Sequence, residues 1–503
     1  MDFDDEPVYN SLLEPGSVVP KEKKKSQLPG VHLMAMALLV AFGGSFSFGY
    51  QLVITNPAQD AFIDFVNRSL SSSGKYYELN ELESIWGGII SLFFWGSTCG
   101  SLFISIIVHK LGRKNGLQLS HFIHILSCLL SIASYQYVNH RLYAFSRFLI
   151  GFAFSISLGV APMFIAECSP KHCRGKISMT TGVLLQIGLV VGAVTAMPHV
   201  MGNKEYWWMM YGVEAVLTCI VALIMPLVKE SPGYLLSRQH ITECEQSIKF
   251  YHEVTSESAQ EIIEEMKKEK DSSCDSYGLF EIWKFSSARR GTILGIVIMI
   301  TMVMTGIAAI NAFAFEILLS TGLTVRQASY GNILICFMSV VGIICSSLVI
   351  DYFGRRRLLL VTYSLLGLIN IMIYIFMIGY ERTQNSVLGY CLLTAISLFN
   401  LTFAAGPGPI SLFVTSELVS QRARGPACTW VQAAMSICRS FLLAGYLPLK
   451  NSIGQPQAYF FLFFPPMIIT VIVLYFYLPE TKGKTVTEVE DSVKLLPTIR
   501  RKT

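Results

Sequence analysis

Along its whole length the chain alternates long apolar runs with short polar breaks. Runs of spanning length fall at 32–54, 85–108, 116–138, 143–166, 177–198, 207–228, 292–319, 328–350, 358–379, 388–415, 427–449 and 458–478. About 20 apolar residues in a helix cross the hydrocarbon of a bilayer, so each run is long enough and twelve membrane helices are predicted. Gly406-Pro407-Gly408-Pro409 interrupts the tenth run, a break tolerated where the freed backbone is buried in protein. The pattern thus predicts an all-α membrane protein. One long polar interruption, 229–291, separates six spans from six, and its charges and the helical pattern from Ser258 to Lys270 predict a solvated linker of short helices. The expected organisation is a tail at 1–31, a six-helix bundle at 32–228, the linker at 229–291, a second bundle at 292–478 and a tail at 479–503.

Composition narrows the class. Of 503 residues, 52% are hydrophobic and 15% charged, against roughly 25% charged in a soluble domain. A soluble enzyme, a nucleic-acid binder and a secreted disulfide scaffold are all poor fits. The net charge of +5 matters less than where the 39 Lys and Arg fall. With the N-terminus inside, 30 lie on the inner side and 7 on the outer, leaving Arg147 and Arg439 within helices. That asymmetry predicts cytoplasmic termini, and the plasma membrane is the expected location. Acidic residues at the start (Asp2, Asp4, Asp5, Glu6) and the long first run do not match a cleaved signal peptide. Asn67-Arg68-Ser69, in the first outer loop, is a candidate glycosylation sequon, whereas Asn400-Leu401-Thr402 falls inside a span and is discounted. The twelve Cys include no Cys-x-x-Cys and none in an outer loop, so neither a zinc site nor a structural disulfide is expected. No metal or other cofactor is called for. No phosphate-binding loop of an ATP-driven pump is apparent.

The halves repeat each other. Leu111-Gly112-Arg113-Lys114 returns as Phe353-Gly354-Arg355-Arg356, Glu167 with Arg174-Gly175 as Glu417 with Arg424-Gly425, and Glu230-Ser231 as Glu480-Thr481. Three matches in order, at equivalent inner loops, point to duplication. Parallel six-helix repeats are a transporter architecture, with the site expected at the midplane between the halves. The repeated charges suggest a gate. Arg113, Lys114, Arg174, Arg355, Arg356 and Arg424 face Glu167, Glu230, Glu417 and Glu480 at the inner ends of adjacent helices. The expectation is a ring of ion pairs that links the halves while the cavity opens outward and breaks when it opens inward.

These residues also carry a resemblance. Arg147 with Gly151, Pro162-Met163, Glu167-Cys168-Ser169-Pro170 through Arg174-Gly175, and Glu230-Ser231-Pro232 mark the first half. Gly354-Arg355-Arg356, Gly406-Pro407-Gly408-Pro409, Glu417 with Arg424, and Pro479-Glu480-Thr481-Lys482-Gly483 mark the second. With these motifs the chain resembles the sugar porter family of the major facilitator superfamily, particularly the animal facilitative hexose transporters. The resemblance implies twelve helices and alternating access. It also implies sugar contacts at Gln186 in the fifth span and Asn311 in the seventh, where amides offer donors and acceptors without a charge.

Several family ligands are replaced. The Gln pair expected before Asn311 reads Thr305-Gly306, the Pro-Trp after Gly-Pro-Gly-Pro-Ile reads Ser411-Leu412, the acidic residue before that motif is Ala404, and helix 11 places Ser436 and Arg439 where Trp and Asn are usual. Thr305, Ser411 and Arg439 are accordingly candidate site residues beside Gln186 and Asn311. Each lost amide bond would weaken sugar binding by about 0.5–1.5 kcal/mol. Arg439 lies roughly 18 Å into its span at 1.5 Å per residue, where an Arg costs about 2.5–3.5 kcal/mol unless it faces a cavity or partner. Facing a cavity, it would favour an anionic or strongly polar substrate. Proton-coupled relatives carry an Asp after Phe-Gly-Tyr in the first span; here Gln51 stands there and cannot titrate. Glu214 and Glu316 are the carboxylates left within spans. The expected function is facilitative transport of a hexose or related sugar or polyol, with the bilayer as setting. Transport of a sugar-like or organic anion, or a transport-inactive sensor of the same fold, are the alternatives.

Overall fold

The computed structural model describes residues 30–71, 77–170, 173–272, 277–420, 422–480 and 488. The tail lysines at 21–25, the motif residues Thr481, Lys482 and Gly483, and most of the C-terminal tail lie outside the described residues.

The described residues are all-helical in their regular structure, and among them twelve helical segments are long and apolar enough to cross a membrane. The first crosses as α1 (Val31–Ala41), a π-helical turn at Phe42–Phe46 and α2 (Ser47–Val53). After α3 (Gln59–Ser71) come α4 (Leu79–Leu111), α5 (Arg113–Gln136), α6 (His140–Cys168), α7 (Arg174–Thr195) and α8 (Trp207–Ile224). The intervening segment holds α9 (Pro232–Ser237), α10 (Ile241–His252) and α11 (Ser256–Ser272). The second six spans follow: α12 (Ser286–Met304) with α13 (Ile307–Leu319), α14 (Val325–Phe353), α15 (Arg355–Thr383), α16 (Ser386–Ala405) with α17 (Pro407–Leu418), α18 (Arg424–Ile453) and α19 (Gln455–Tyr477). Connectivity puts α9, α10 and α11 on one face, the linker face, and α3 on the opposite, far face.

Several ends are set by local chemistry. The Asn139 side chain accepts from the Arg141 and Leu142 amides at the start of α6, and Thr324 with Gln327 forms a capping box on α14. Two spans are broken rather than continuous. The tenth breaks at Gly406, as its Gly-Pro run predicts. The seventh breaks at Thr305-Gly306, where Gly306 takes φ +102°, a bend that hydropathy alone did not reveal. α3 is likewise absent from the predicted spans. It is too short to cross, and it buries Phe62 and Phe65 against Trp86, Tyr143 and Trp207.

Apolar side chains point both ways. Phe122, Leu126 and Leu129 form an exposed stripe along α5, at 52–58% exposure, which suits a surface wetted by lipid rather than water. Inside, contact between spans depends on small residues. A Cβ at Gly151 of α6 would lie 1.7 Å from the Phe93 carbonyl oxygen of α4, so the backbones touch there. This contact holds Phe93, Phe94 and Arg147 in place near the interface between halves.

Gly151→Val should therefore separate α4 from α6, because the obstacle is backbone and cannot rotate away. Overpacking of this kind costs about 1–3 kcal/mol or more. The expected outcome is a large fall in monodisperse protein by size-exclusion chromatography in detergent, with Gly212→Ala, where nothing lies within 4 Å, eluting as the unmodified protein does.

Candidate functional site

Two seams join the halves. α4 packs along α18, with Ser97 and Ser436 hydroxyls 3.1 Å apart, and α7 packs along α14 through Leu189, Ala193 and Cys336. Between the halves lies a cavity of about 20 Å³, room for little more than one water. The first half contributes Gln51, Thr55, Phe93, Phe94 and Arg147 to its wall; the second contributes Asn311 and Arg439. Its lining contains no carboxylate.

Arg147 is 2% exposed. It donates to Gln51 Oε1 at 2.6 Å and lies over the Phe93 ring, 5.0 Å from its centroid. Gln51 passes the interaction on, donating through Nε2 to Glu214 Oε2. The other Glu214 oxygen is 3.1 Å from His124 Nε2, and Thr218 Oγ1 is 3.3 Å from His124 Nδ1. An amide thus connects a buried cation to a buried carboxylate. Arg439 is answered differently. Its guanidinium lies 5.6 Å from the centre of the Phe94 ring, and its Nε, like that of Arg147, is buried without a hydrogen-bond partner.

The predicted site residues separate into groups. Asn311 and Arg439 share the cavity. Gln186 is half-buried on α7, its Oε1 without a partner, and it does not reach the cavity wall. Thr305 and Ser411 are both fully buried away from the cavity. The Thr305 hydroxyl donates to the Met302 carbonyl at 2.7 Å, and its own carbonyl accepts from Asn370 Nδ2 at 2.9 Å. Ser411 Oγ lies 3.4 Å from the Tyr363 hydroxyl. The hydroxyls that replace the family's ligands are spent within their own half.

At the linker face the two repeats have matching geometry. Gly112 and Gly354 turn at φ +89° and +77°. Glu230 accepts from the amides of Arg113, Lys114 and Ser231, and Glu480 accepts from Arg355, so the two carboxylates cap the positive ends of α5 and α15. Burial pushes the Glu230 carboxyl upward, opposed by those amides and by the Arg113 charge. Arg113 pairs with Glu167 at 2.8 Å and Arg355 with Glu417 at 3.5 Å. Lys114 Nζ and the Arg356 guanidinium donate to carbonyls of Pro226 and Tyr475. These contacts lie within one half each. Arg174 and Arg424 are exposed at the first positions of α7 and α18.

Charge crosses between the halves at the far face. Lys450 of α18 bonds Glu316 of α13 and lies 3.4 Å from Glu83 of α4. Gln59 donates to Glu316 at 2.8 Å, and Asn56 accepts from the Phe315 amide at 3.0 Å. The far side is therefore latched shut. Sequence reasoning counted Lys450 only as one outer charge and left Glu316 unpaired; a Lys and a Glu at the same end of two spans was the available signal. It also passed over His124, although a membrane His commonly answers a buried carboxylate. Asn67 is exposed on α3, while the Ser69 hydroxyl of its sequon lies 2.9 Å from His140 Nδ1.

His124, Cys128 and Glu214 each place a possible ligand atom within 4.8 Å of the others, the one such group of three among the described residues. Both Glu214 oxygens already face Gln51 and His124, and a metal there would remove the counter-charge of Arg147.

The comparisons agree with this architecture. The profile of the family described as "Sugar (and other) transporter" matches residues 36–492. The chain belongs to that family of membrane transporters; it is not an enzyme. Relatives include solute carrier family 2, facilitated glucose transporter member 5 of Equus caballus, 26% identical over 93% of both chains. Member 7 of Homo sapiens is 26% identical over 95% of this chain and 92% of that one, and member 9 of Homo sapiens 27% over 92% and 85%. Among solved structures, the inward open conformation of the xylose transporter XylE from E. coli covers 91% of this chain and 99% of its own, with TM-score 0.73 at 18% identity. That likeness shows the fold.

Glu316→Gln should loosen the far-face latch, since a hydrogen bond to a charged group contributes about 1.5–3 kcal/mol. Double electron–electron resonance between spin labels at Leu79 and Ile453, across the far face, should then show at least a roughly tenfold rise in the long-distance population.

Proposed function

We propose that the protein carries a small, hydroxylated, sugar-like solute down its gradient by alternating access, in a plasma membrane with the linker face in the cytoplasm. The carrying observation is the cavity between the halves, walled by polar groups from both and closed on the far side by cross-half contacts. A cavity of about 20 Å³ is too small for a sugar, so the solute enters only as the halves part. Gln51, Thr55 and Asn311 offer hydrogen bonds, and Phe93 and Phe94 offer apolar faces for a ring. The likeness to a facilitated glucose transporter and to a xylose transporter supports this class of solute.

The linker-face pairs supply the alternating part of the reading. Arg113–Glu167 and Arg355–Glu417 are closed within their halves while the far face is latched. When the far face opens, these charges are the ones positioned to meet across the linker face and hold that side shut. Gln51, which does not titrate, favours a uniporter. Asn67, exposed on the far face, is the proposed site of a glycan.

Purified protein in liposomes should take up a labelled hexose, pentose, polyol or sugar acid saturably, to the same extent with and without an imposed pH gradient. No uptake of any of them by correctly inserted protein overturns the transporter reading. Uptake that needs the gradient overturns only the uniporter claim.

A further inference from the structure

Resting on the reading that the interhalf cavity is the solute site, we infer that the solute is anionic: a sugar acid whose carboxylate is held by Arg439. Five observations carry the step. Arg439 sits at the middle of α18, fifteen residues from Arg424 and fourteen from Ile453, which is roughly 21 Å from either end at 1.5 Å per residue. The side chain cannot bring its charge to an interface from there, so snorkelling does not account for it. Second, it lines the cavity, is 9% exposed, and among the described residues its guanidinium has the Phe94 face as its one recorded contact. An aromatic face attracts a cation but does not neutralise it.

Third, the other arginine of the cavity shows what compensation looks like in this protein. Arg147 is tied through the Gln51 amide to Glu214, whose other oxygen lies 3.1 Å from His124 Nε2. Arg439 has no equivalent. Fourth, with no carboxylate in the lining, the wall presents two guanidinium groups, one from each half, with a counter-charge behind only one of them. A buried cation inside a membrane protein is costly unless paired, and a bound anion supplies the missing partner. Fifth, the geometry suits a carboxylate on a compact hydroxylated body. The planar fork of a guanidinium matches a carboxylate in two parallel bonds, while Asn311 and Thr55 remain for hydroxyls. Because Arg147 and Arg439 belong to different halves, an anion between them also draws the halves together, which a neutral hexose does not do.

The test compares glucuronate with glucose on protein reconstituted in liposomes, alongside thermal unfolding of the detergent-purified protein with each solute. In the unmodified protein, glucuronate should be taken up at least tenfold more efficiently than glucose, faster with an inside-positive potential because net charge moves, and should raise the unfolding temperature. Arg439→Gln should lose the glucuronate uptake and the thermal shift at least tenfold, so that glucuronate is no longer preferred over glucose. Arg439→Lys should restore part of both. Glucose uptake with glucuronate neither carried nor competing would overturn the inference and leave the transporter reading standing. A glucuronate thermal shift abolished by Arg439→Gln, with no uptake of either solute, would uphold the anion site and overturn transport. Glucuronate uptake or shift unchanged in a folded Arg439→Gln protein, or neither uptake nor shift in the unmodified protein, would also overturn the inference.

Discussion

A charge buried among membrane helices has no water to turn to, and the structure is organised by how each such charge is answered. Arg147 is the clearest case. Its distance from Glu214 is spanned by Gln51, whose carbonyl oxygen accepts from the cation and whose amino group donates to the carboxylate. An Asp at position 51 would put a second negative charge beside Glu214, a repulsion that the neutral amide avoids. The amide keeps the chain neutral in sum and fixed in direction. It also ties three spans of the first half, through α2, α6 and α8, into one unit that moves as a body.

That rigidity gives the seams their meaning. Within the first half, α4 and α6 touch backbone to backbone at Gly151, and α5 is tied to α8 through His124 and Glu214. Between the halves, contact is made by a pair of serines and the close approach of Gly87 to the α18 backbone, by aliphatic side chains on α7 and α14, and by the polar latch at the far face. The latch concentrates the charged contacts between halves in one place, at Lys450, Glu316 and Glu83. A hinge motion that opens the far face breaks those contacts together while leaving the interior of each half intact. Such a division of strong contacts within bodies and a few breakable ones between them is what rigid-body switching requires.

The spans and the duplication could be read from the sequence because hydrophobic length and repeated motifs are one-dimensional properties. Gly112-Arg113 and Gly354-Arg355 announced their turns, whereas the ring of ion pairs expected between the halves is, among the described residues, two pairs, each closed within its own half. What the motifs did not say is that Glu230 and Glu480 serve mainly the backbone, capping α5 and α15. Contacts between distant spans were illegible for a physical reason. Lys450 and Glu316, or Gln51 and His124, are ordinary residues on separate helices, and only packing makes them partners. The bend at Gly306 escaped for a similar reason: Ile, Ala and Met on either side keep the run apolar, and hydropathy does not register a reversal of φ. Thr305 and Ser411 were legible as departures from a family pattern, yet their new hydroxyls are absorbed by Met302 and Tyr363.

These departures and Arg439 bear on one another. Replacing the amide pair at Thr305-Gly306 and the indole at Ser411-Leu412 takes hydrogen-bond donors away from the second half of the site, and the neighbouring Asn370 supports the backbone break at Thr305. The second half is left with Asn311 and one guanidinium facing the cavity. A neutral sugar bound there would gain little from a site whose polar groups are few and whose charge stays unanswered, because desolvating the guanidinium is paid without a counter-ion. An anionic solute makes the same inventory sufficient: one bidentate pair substitutes for several neutral bonds, each charge-assisted bond being about twice as strong as a neutral one. The loss of family ligands and the gain of an arginine are then a single change in what the second half recognises.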